Sequence, residues 1–301
     1  MLPELESQPQ TWIAVARGLS DRAVADLGLV LDARGIEHSQ QRAVDGWALY
    51  VAAPNLERTL QELDAYRAEN RRPSGQRRIE LRGYGLPGTF VYAALLLVMY
   101  VVVRQAPFGF DWLGAGRLEA GAVRAGEWWR PLTALTVHLD FDHVAGNVAF
   151  GSFFGYFSAR YLGTGVGWLA VLAAGFLGNL INAYLQAAEH RSIGASTAVF
   201  AALGLLTAYT WRRGFWRGTP WRARFAPIVA GLGLLAFTGT GGENTDLFAH
   251  LFGFVAGFAL GLAFAAFALA EKVGPRGQRW AGAAALGALA GAWLTALVLD
   301  G

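Results

Sequence analysis

Cysteine is absent from the chain. Disulfides, thiolate metal sites and cysteine nucleophiles are excluded with it. Lysine is almost absent as well: Lys272 is the only one among 301 residues, so basic charge rests on arginine. Charged residues amount to 16% of the chain, against roughly a quarter in a soluble protein. A net charge of +3, small and scattered, gives no footing for nucleic acid as a partner. The opening residues, MLPELESQPQ, lack a basic start followed by an apolar core, so no cleaved signal peptide is expected.

What is present is apolar: 54% of the chain is hydrophobic and 13% aromatic. The charges are dense from Met1 to Arg82 and sparse afterwards. That asymmetry predicts a small soluble domain over residues 1–70, an arginine-rich linker over 71–82, and a membrane domain beyond. In the first of these, Thr11 to Arg17 alternates loosely, and Ser20-Asp21 opens an amphipathic stretch that Gly35 stops. Strand-like pieces around 38–43 and 47–53 flank the turn signal Asp45-Gly46. After Pro54-Asn55, Leu56, Leu60, Leu63 and Tyr66 recur at helical spacing. The expected order is β-α-β-β-α. So short a unit can bury only a small core.

From Gly83 onward seven apolar stretches follow: 83–103, 144–159, 161–188, 192–211, 225–242, 247–270 and 280–299. A spanning helix needs roughly 17–25 apolar residues. The second and fifth are short alone and need polar neighbours to extend them. These stretches have too few polar faces to form a water-soluble surface. The expected fold is therefore mostly α: a polytopic membrane helical bundle behind a small α+β domain. Arginines gather before the first span, after the second, between the fourth and fifth, and with Lys272 between the sixth and seventh. These are alternate loops. The positive-inside rule places them and the N-terminus in the cytoplasm, and the C-terminus outside. The long loop after the first span carries Arg117, Arg124 and Arg130, but Asp111, Glu119 and Glu127 nearly cancel them.

Polar residues inside membrane spans are costly and so are candidates for function. His143 and Asn147 open the second span, Ser196 opens the fourth, and His250 lies early in the sixth. Spans two, four and six run in the same direction, so all four residues fall at similar shallow depth near the outer face. Ser196 can be read as a helix cap or as a nucleophile, which needs a base to accept its proton. His250 supplies a base that is neutral near pH 7. Gly253, Gly257 and Gly261 share its helical face, and small residues every fourth position let membrane helices approach closely. The bland reading leaves the glycines as packing and gives His250 a loop carbonyl for partner. His143 and Asn147, four apart, are neutral donors on one face, suited to an oxyanion. A zinc site built from His138, His143 and His250 is a rival reading.

The ordered set of pieces resembles the rhomboid proteases from about Gly83 to Ala270. Trp129-Arg130 resembles the WR motif of the family's long first loop. His138, His143 and Asn147 reproduce HxxxxHxxxN, Gly194 and Ser196 reproduce GxS, and Ala249-His250 with Gly253 and Gly257 reproduces AHxxG followed by GxxxG. The resemblance implies a six-span core over residues 83–272 and one extra helix over 273–301. It implies an intramembrane serine endopeptidase in which Ser196 is the nucleophile and His250 the general base, a dyad with no acidic third member. Ser196 N–H, His143 and Asn147 would hold the oxyanion, Trp129-Arg130 would anchor the outer loop at the interface, and His138 would be structural. Transmembrane protein substrates and membrane lipid are the expected partners, no cofactor or metal is expected, and the bacterial inner membrane is the expected location. Two positions depart from the common pattern: Thr197 replaces a frequent glycine, and Phe200 replaces a frequent tyrosine that stacks on the histidine. A silent relative that only binds transmembrane helices is the alternative; such relatives lack the serine or the histidine, and both are present. A solute transporter finds support only in Asn179, Asn182 and Gln186 of the third span, with no internal repeat.

Overall fold

The computed structural model describes residues 11–70, 81–213, 225–226, 228–230, 233 and 246–299. The chain divides into two compact units, Met1–Ser74 and Gly75–Gly301.

In the first unit, β1 (Trp12–Leu19), α1 (Asp21–Ala33), β2 (His38–Ala43), β3 (Gly46–Ala52) and α2 (Leu56–Glu69) follow the expected order. The antiparallel sheet runs β1-β3-β2. The Ser20 side chain caps α1 by accepting the Ala23 N–H at 3.3 Å. Gly46 pairs with Ala43, so it closes the hairpin as the first residue of β3. Leu27 and Leu31 of α1, Ile36, Leu49 and Val51, and Leu63 of α2 form the core. Leu60 is not on the buried face, being 41% exposed, whereas Thr59 is fully buried. The inward stripe of α2 is Leu56, Thr59, Leu63 and Tyr66, steps of three, four and three that follow the helical period better than a run through Leu60.

The second unit is helical. Its long elements are α3 (Leu86–Gln105), α7 (Phe141–Leu162), α8 (Thr164–Leu185), α9 (Ser196–Arg213), α10 (Leu247–Ala266) and α11 (Pro275–Leu299). Between α3 and α7 lie three short helices, α4 (Trp112–Gly116), α5 (Ala120–Arg124) and α6 (Arg130–Thr133). Among the described residues, α3, α8, α10 and α11 are long and apolar enough to cross a membrane by length and composition. α7 and α9 are 22 and 18 residues long and pack in the same bundle. α7 starts three residues before the expected span because Asp140 caps it through the His143 N–H at 2.8 Å. The expected fifth span, 225–242, lies outside the described residues apart from scattered positions.

The segment between α3 and α7 is tied to the bundle by its arginines. Arg130, buried, donates to the Gly114 and Arg117 carbonyls at 2.8 and 3.0 Å and pairs with Glu127. Arg117 pairs with Glu119, and Arg124 donates to the Ala183 and Gln186 carbonyls at the end of α8. Trp129 does not sit exposed at an interface; it is 5% exposed, in a core with Met99, Val137 and Trp293, and the exposed ring is that of Trp128. The segment is thus anchored by buried contacts and hydrogen bonds. A two-residue ladder, Leu118 with Ser192 and Glu119 with Arg191, couples it to the loop that leads into α9.

The glycines of α10 decide how close that helix lies to α9. A methyl group at Gly253, Gly257 or Gly261 would overlap the carbonyl oxygen of Thr197, Ala201 or Leu205 respectively. Both sets step by four residues, one ridge of backbone laid along another. Gly204 of α9 meets the Phe254 carbonyl in return. α9 and α10 therefore touch backbone to backbone along most of their length.

Candidate active site

Ser196 is the first residue of α9 and His250 lies in the first turn of α10. The close contact of the two helices brings Ser196 Oγ within 2.7 Å of His250 Nε2. With the imidazole neutral and its proton on Nδ1, the Ser196 hydroxyl donates to Nε2. Among the described residues nothing hydrogen-bonds that buried Nδ1. The ring is held by stacking instead: Phe200, one turn into α9, lies 4.6 Å from it at 26°. The phenyl ring supplies this surface without a hydroxyl.

His143 and Asn147 of α7 approach the loop that leads to Ser196. Gly194, two residues before Ser196, has φ +107°, a conformation open to glycine. A Cβ there would stand 2.5 Å from His143 Nε2 and 3.5 Å from Asn147 Nδ2. The missing side chain leaves the two donors beside the loop that carries the serine. His138, fully buried, accepts at Nε2 from Asn147 Nδ2 at 3.1 Å and from the Ala195 N–H at 3.2 Å. One of the two amide hydrogens of Asn147 is thereby committed, and the other is left for a ligand. His138 links α7 to the serine loop, and the lone pair of its Nε2 is engaged by these hydrogen bonds. Among the described residues no group of three His, Asp or Glu side chains gathers as a metal site. The proposed histidine triad is thus not assembled.

α7, α9 and α10 all present their N-termini here. A first-turn N–H has no partner within its helix, and the positive dipole end favours negative charge. The Ser196 N–H is such a group.

Two residues of this region, Asp246 and His190, escaped the sequence reading, and a third, Asn182, was noted only for transport. Asp246 caps α10, its Oδ1 accepting the Ala249 N–H at 3.0 Å. Its Oδ2 accepts from Asn182 Nδ2 at 2.7 Å and His190 Nε2 at 2.8 Å. Burial pushes the Asp246 carboxyl up, but hydrogen bonds from Ala249, His190 and Ser192 outweigh it and hold it below the usual carboxylate range. An aspartate directly ahead of an apolar run is a cap signal. Nothing in the sequence indicated that its second oxygen reaches α8 and His190. Asn179, offered for transport, donates instead to the Pro131 carbonyl at 2.9 Å.

Comparison with known proteins points to one family. The rhomboid domain model matches residues 125–267. Rhomboid protease GluP of Bacillus subtilis is 32% identical over 208 residues, 67% of this chain and 39% of that protein. Rhomboid-like protease 1 of Toxoplasma gondii is 33% identical over 174 residues, 56% of each chain. RHOMBOID-like protein 1 of Arabidopsis thaliana is 31% identical over 144 residues, 47% of this chain and 36% of that protein. The chain spans 39% and 56% of the length of the first two relatives. The matched segment holds the WR pair, the α7 donors, Ser196 and His250 in that order, and residues 125–267 of the chain are a rhomboid domain.

Proposed function

We propose that the chain is an intramembrane serine endopeptidase acting on transmembrane segments of other membrane proteins, with Ser196 and His250 as its dyad. The observation that carries this reading is the 2.7 Å contact between Ser196 Oγ and His250 Nε2 at the N-terminal ends of α9 and α10. A lone helix-capping serine or a structural histidine has no need of the other.

In this mechanism Ser196 Oγ attacks the peptide carbonyl carbon while its proton passes to His250 Nε2. The carbonyl oxygen becomes an oxyanion, held by the Ser196 N–H, His143 and the free hydrogen of Asn147. The C–N bond then breaks as His250 returns the proton to the departing amine. Water, deprotonated by the same imidazole, hydrolyses the acyl ester and frees Ser196. Phe200 keeps the imidazole ring in plane for both transfers. The polar ends of α7, α9 and α10 support a reaction near one face of the bilayer, where water can enter. The loop charges put that face outside a bacterial inner membrane, with the N-terminal unit in the cytoplasm. The extra helix α11 and the N-terminal unit belong to the chain's architecture and not to the reacting atoms.

The retained serine and histidine argue against the silent-relative alternative. The test is labelling with an activated fluorophosphonate and mapping the adduct. The adduct is expected on Ser196, with Ser196→Ala abolishing both labelling and cleavage of a reporter transmembrane substrate while the protein stays folded. Cleavage by the Ser196→Ala variant refutes the mechanism.

A further inference from the structure

Asp246, His190 and Asn182 touch none of the reacting atoms, yet they bind one another beside them. Asn182 lies in the last turn of α8 and is fully buried. His190 stands six residues before Ser196 in the loop entering α9, and Asp246 four residues before His250 at the head of α10. The His190 and Asp246 side chains are 24% and 13% exposed. One carboxylate oxygen thus joins α8 and the serine loop to the helix of the general base, while its other oxygen caps that helix.

The glycine contacts explain why such a tie is needed. Gly253, Gly257 and Gly261 let α10 lie close to α9, but they offer no side-chain knob that would lock its axial position or rotation. The serine loop is already fixed: the Gly194 N–H donates to the Ala134 carbonyl at 2.8 Å, the Ala195 N–H to His138, and Ser192 pairs with Leu118. A link from this frame to the first turn of α10 removes the remaining freedom where the imidazole is carried.

We infer that Asp246, His190 and Asn182 form a clasp that positions His250 against Ser196 by setting the register of α10 on the serine loop. The clasp rests on the protease reading given above; its members are positioning residues. Asp246→Asn separates two duties of the carboxylate. The asparagine oxygen still accepts the Ala249 N–H, so the cap survives, whereas its amide group cannot accept from Asn182 and His190. His190→Ala removes the donor, and His190→Gln restores an N–H at nearly the same reach.

The experiment uses the full chain in phosphatidylcholine vesicles. It reads kcat and KM on a reporter transmembrane substrate, the rate of fluorophosphonate modification of Ser196, and thermal unfolding. Misplacing a catalytic group by about 1 Å costs on the order of a hundredfold in rate. Asp246→Asn and His190→Ala are therefore each expected to lower kcat and the labelling rate by about ten- to a hundredfold. KM should stay within about threefold, as expected when orientation and not binding is lost. The double variant should lose no more than the worse single one, and His190→Gln should recover most of the rate. Labelling at the wild-type rate in both single variants, losses that multiply in the double variant, or losses matching the fraction unfolded each overturn the clasp while leaving the dyad standing. Absence of label on Ser196 in the wild-type chain overturns the protease reading, and the clasp falls with it.

Discussion

Gly257→Ala adds one methyl group at the point where α10 lies against the Ala201 carbonyl of α9. Two effects oppose each other. Alanine is a better helix former than glycine by about 0.8–1.0 kcal/mol. Forcing extra volume into a packed contact costs about 1–3 kcal/mol. The net loss of stability is therefore small, about 0–2 kcal/mol. The catalytic effect is larger, because the overlap is with rigid backbone and the helices must part by about 1 Å to relieve it. His250 is two turns up the same face, and its imidazole must keep a 2.7 Å contact with Ser196 Oγ. A displacement of that size costs on the order of a hundredfold in turnover. Gly287→Ala on α11 is the matched control, since nothing lies within 4 Å of its added Cβ. The assay is kcat on a reporter substrate in vesicles, with thermal unfolding measured on the same samples. Gly287→Ala should keep full turnover and gain slightly in stability. Full turnover in Gly257→Ala would refute the claim that backbone contact between α9 and α10 sets the dyad distance.

Asn147→Ala should lower kcat by about a hundred- to a thousandfold, the cost of losing one oxyanion donor, with KM little changed; a larger effect on KM than on kcat contradicts that role. Asp246 predicts an acid limb in stability. Its carboxyl is held below the usual range when folded, so the stability it adds is present above the unfolded value near 3.9 and is lost as pH falls through the lower folded value. Thermal unfolding of the wild type and Asp246→Asn should differ at pH 7, the difference shrinking as pH falls from about 4 and vanishing only below the folded value. A difference that persists at lower pH contradicts the hydrogen-bonded carboxylate.

Much of the architecture is legible in the sequence. The β-α-β-β-α order of the first unit follows from Ser20, Gly35, Gly46 and Pro54, whose backbone and capping chemistry is local. The apolar runs mark the long helices because span length is a property of composition. Helix ends were less legible: α7 begins at Phe141 because Asp140 caps it, and hydropathy alone reads that polar turn as loop. The exposure of Leu60 was not legible, because leucine at helical spacing cannot report which side of α2 meets the sheet. Trp129 was misread because an indole suits both a membrane interface and a buried core.

Spacing in the chain placed Ser196, His250, His143 and Asn147 at helix starts, since polar groups in apolar segments stand out by cost alone. Only the tertiary structure decided that the hydroxyl and the imidazole meet, through glycine faces that admit a neighbouring backbone. Only it revealed that Asp246 binds His190 and Asn182, partners 56 and 64 positions away. Local rules report what each residue does to its own few neighbours in the chain, whereas a contact between distant segments exists only after packing has chosen which faces touch.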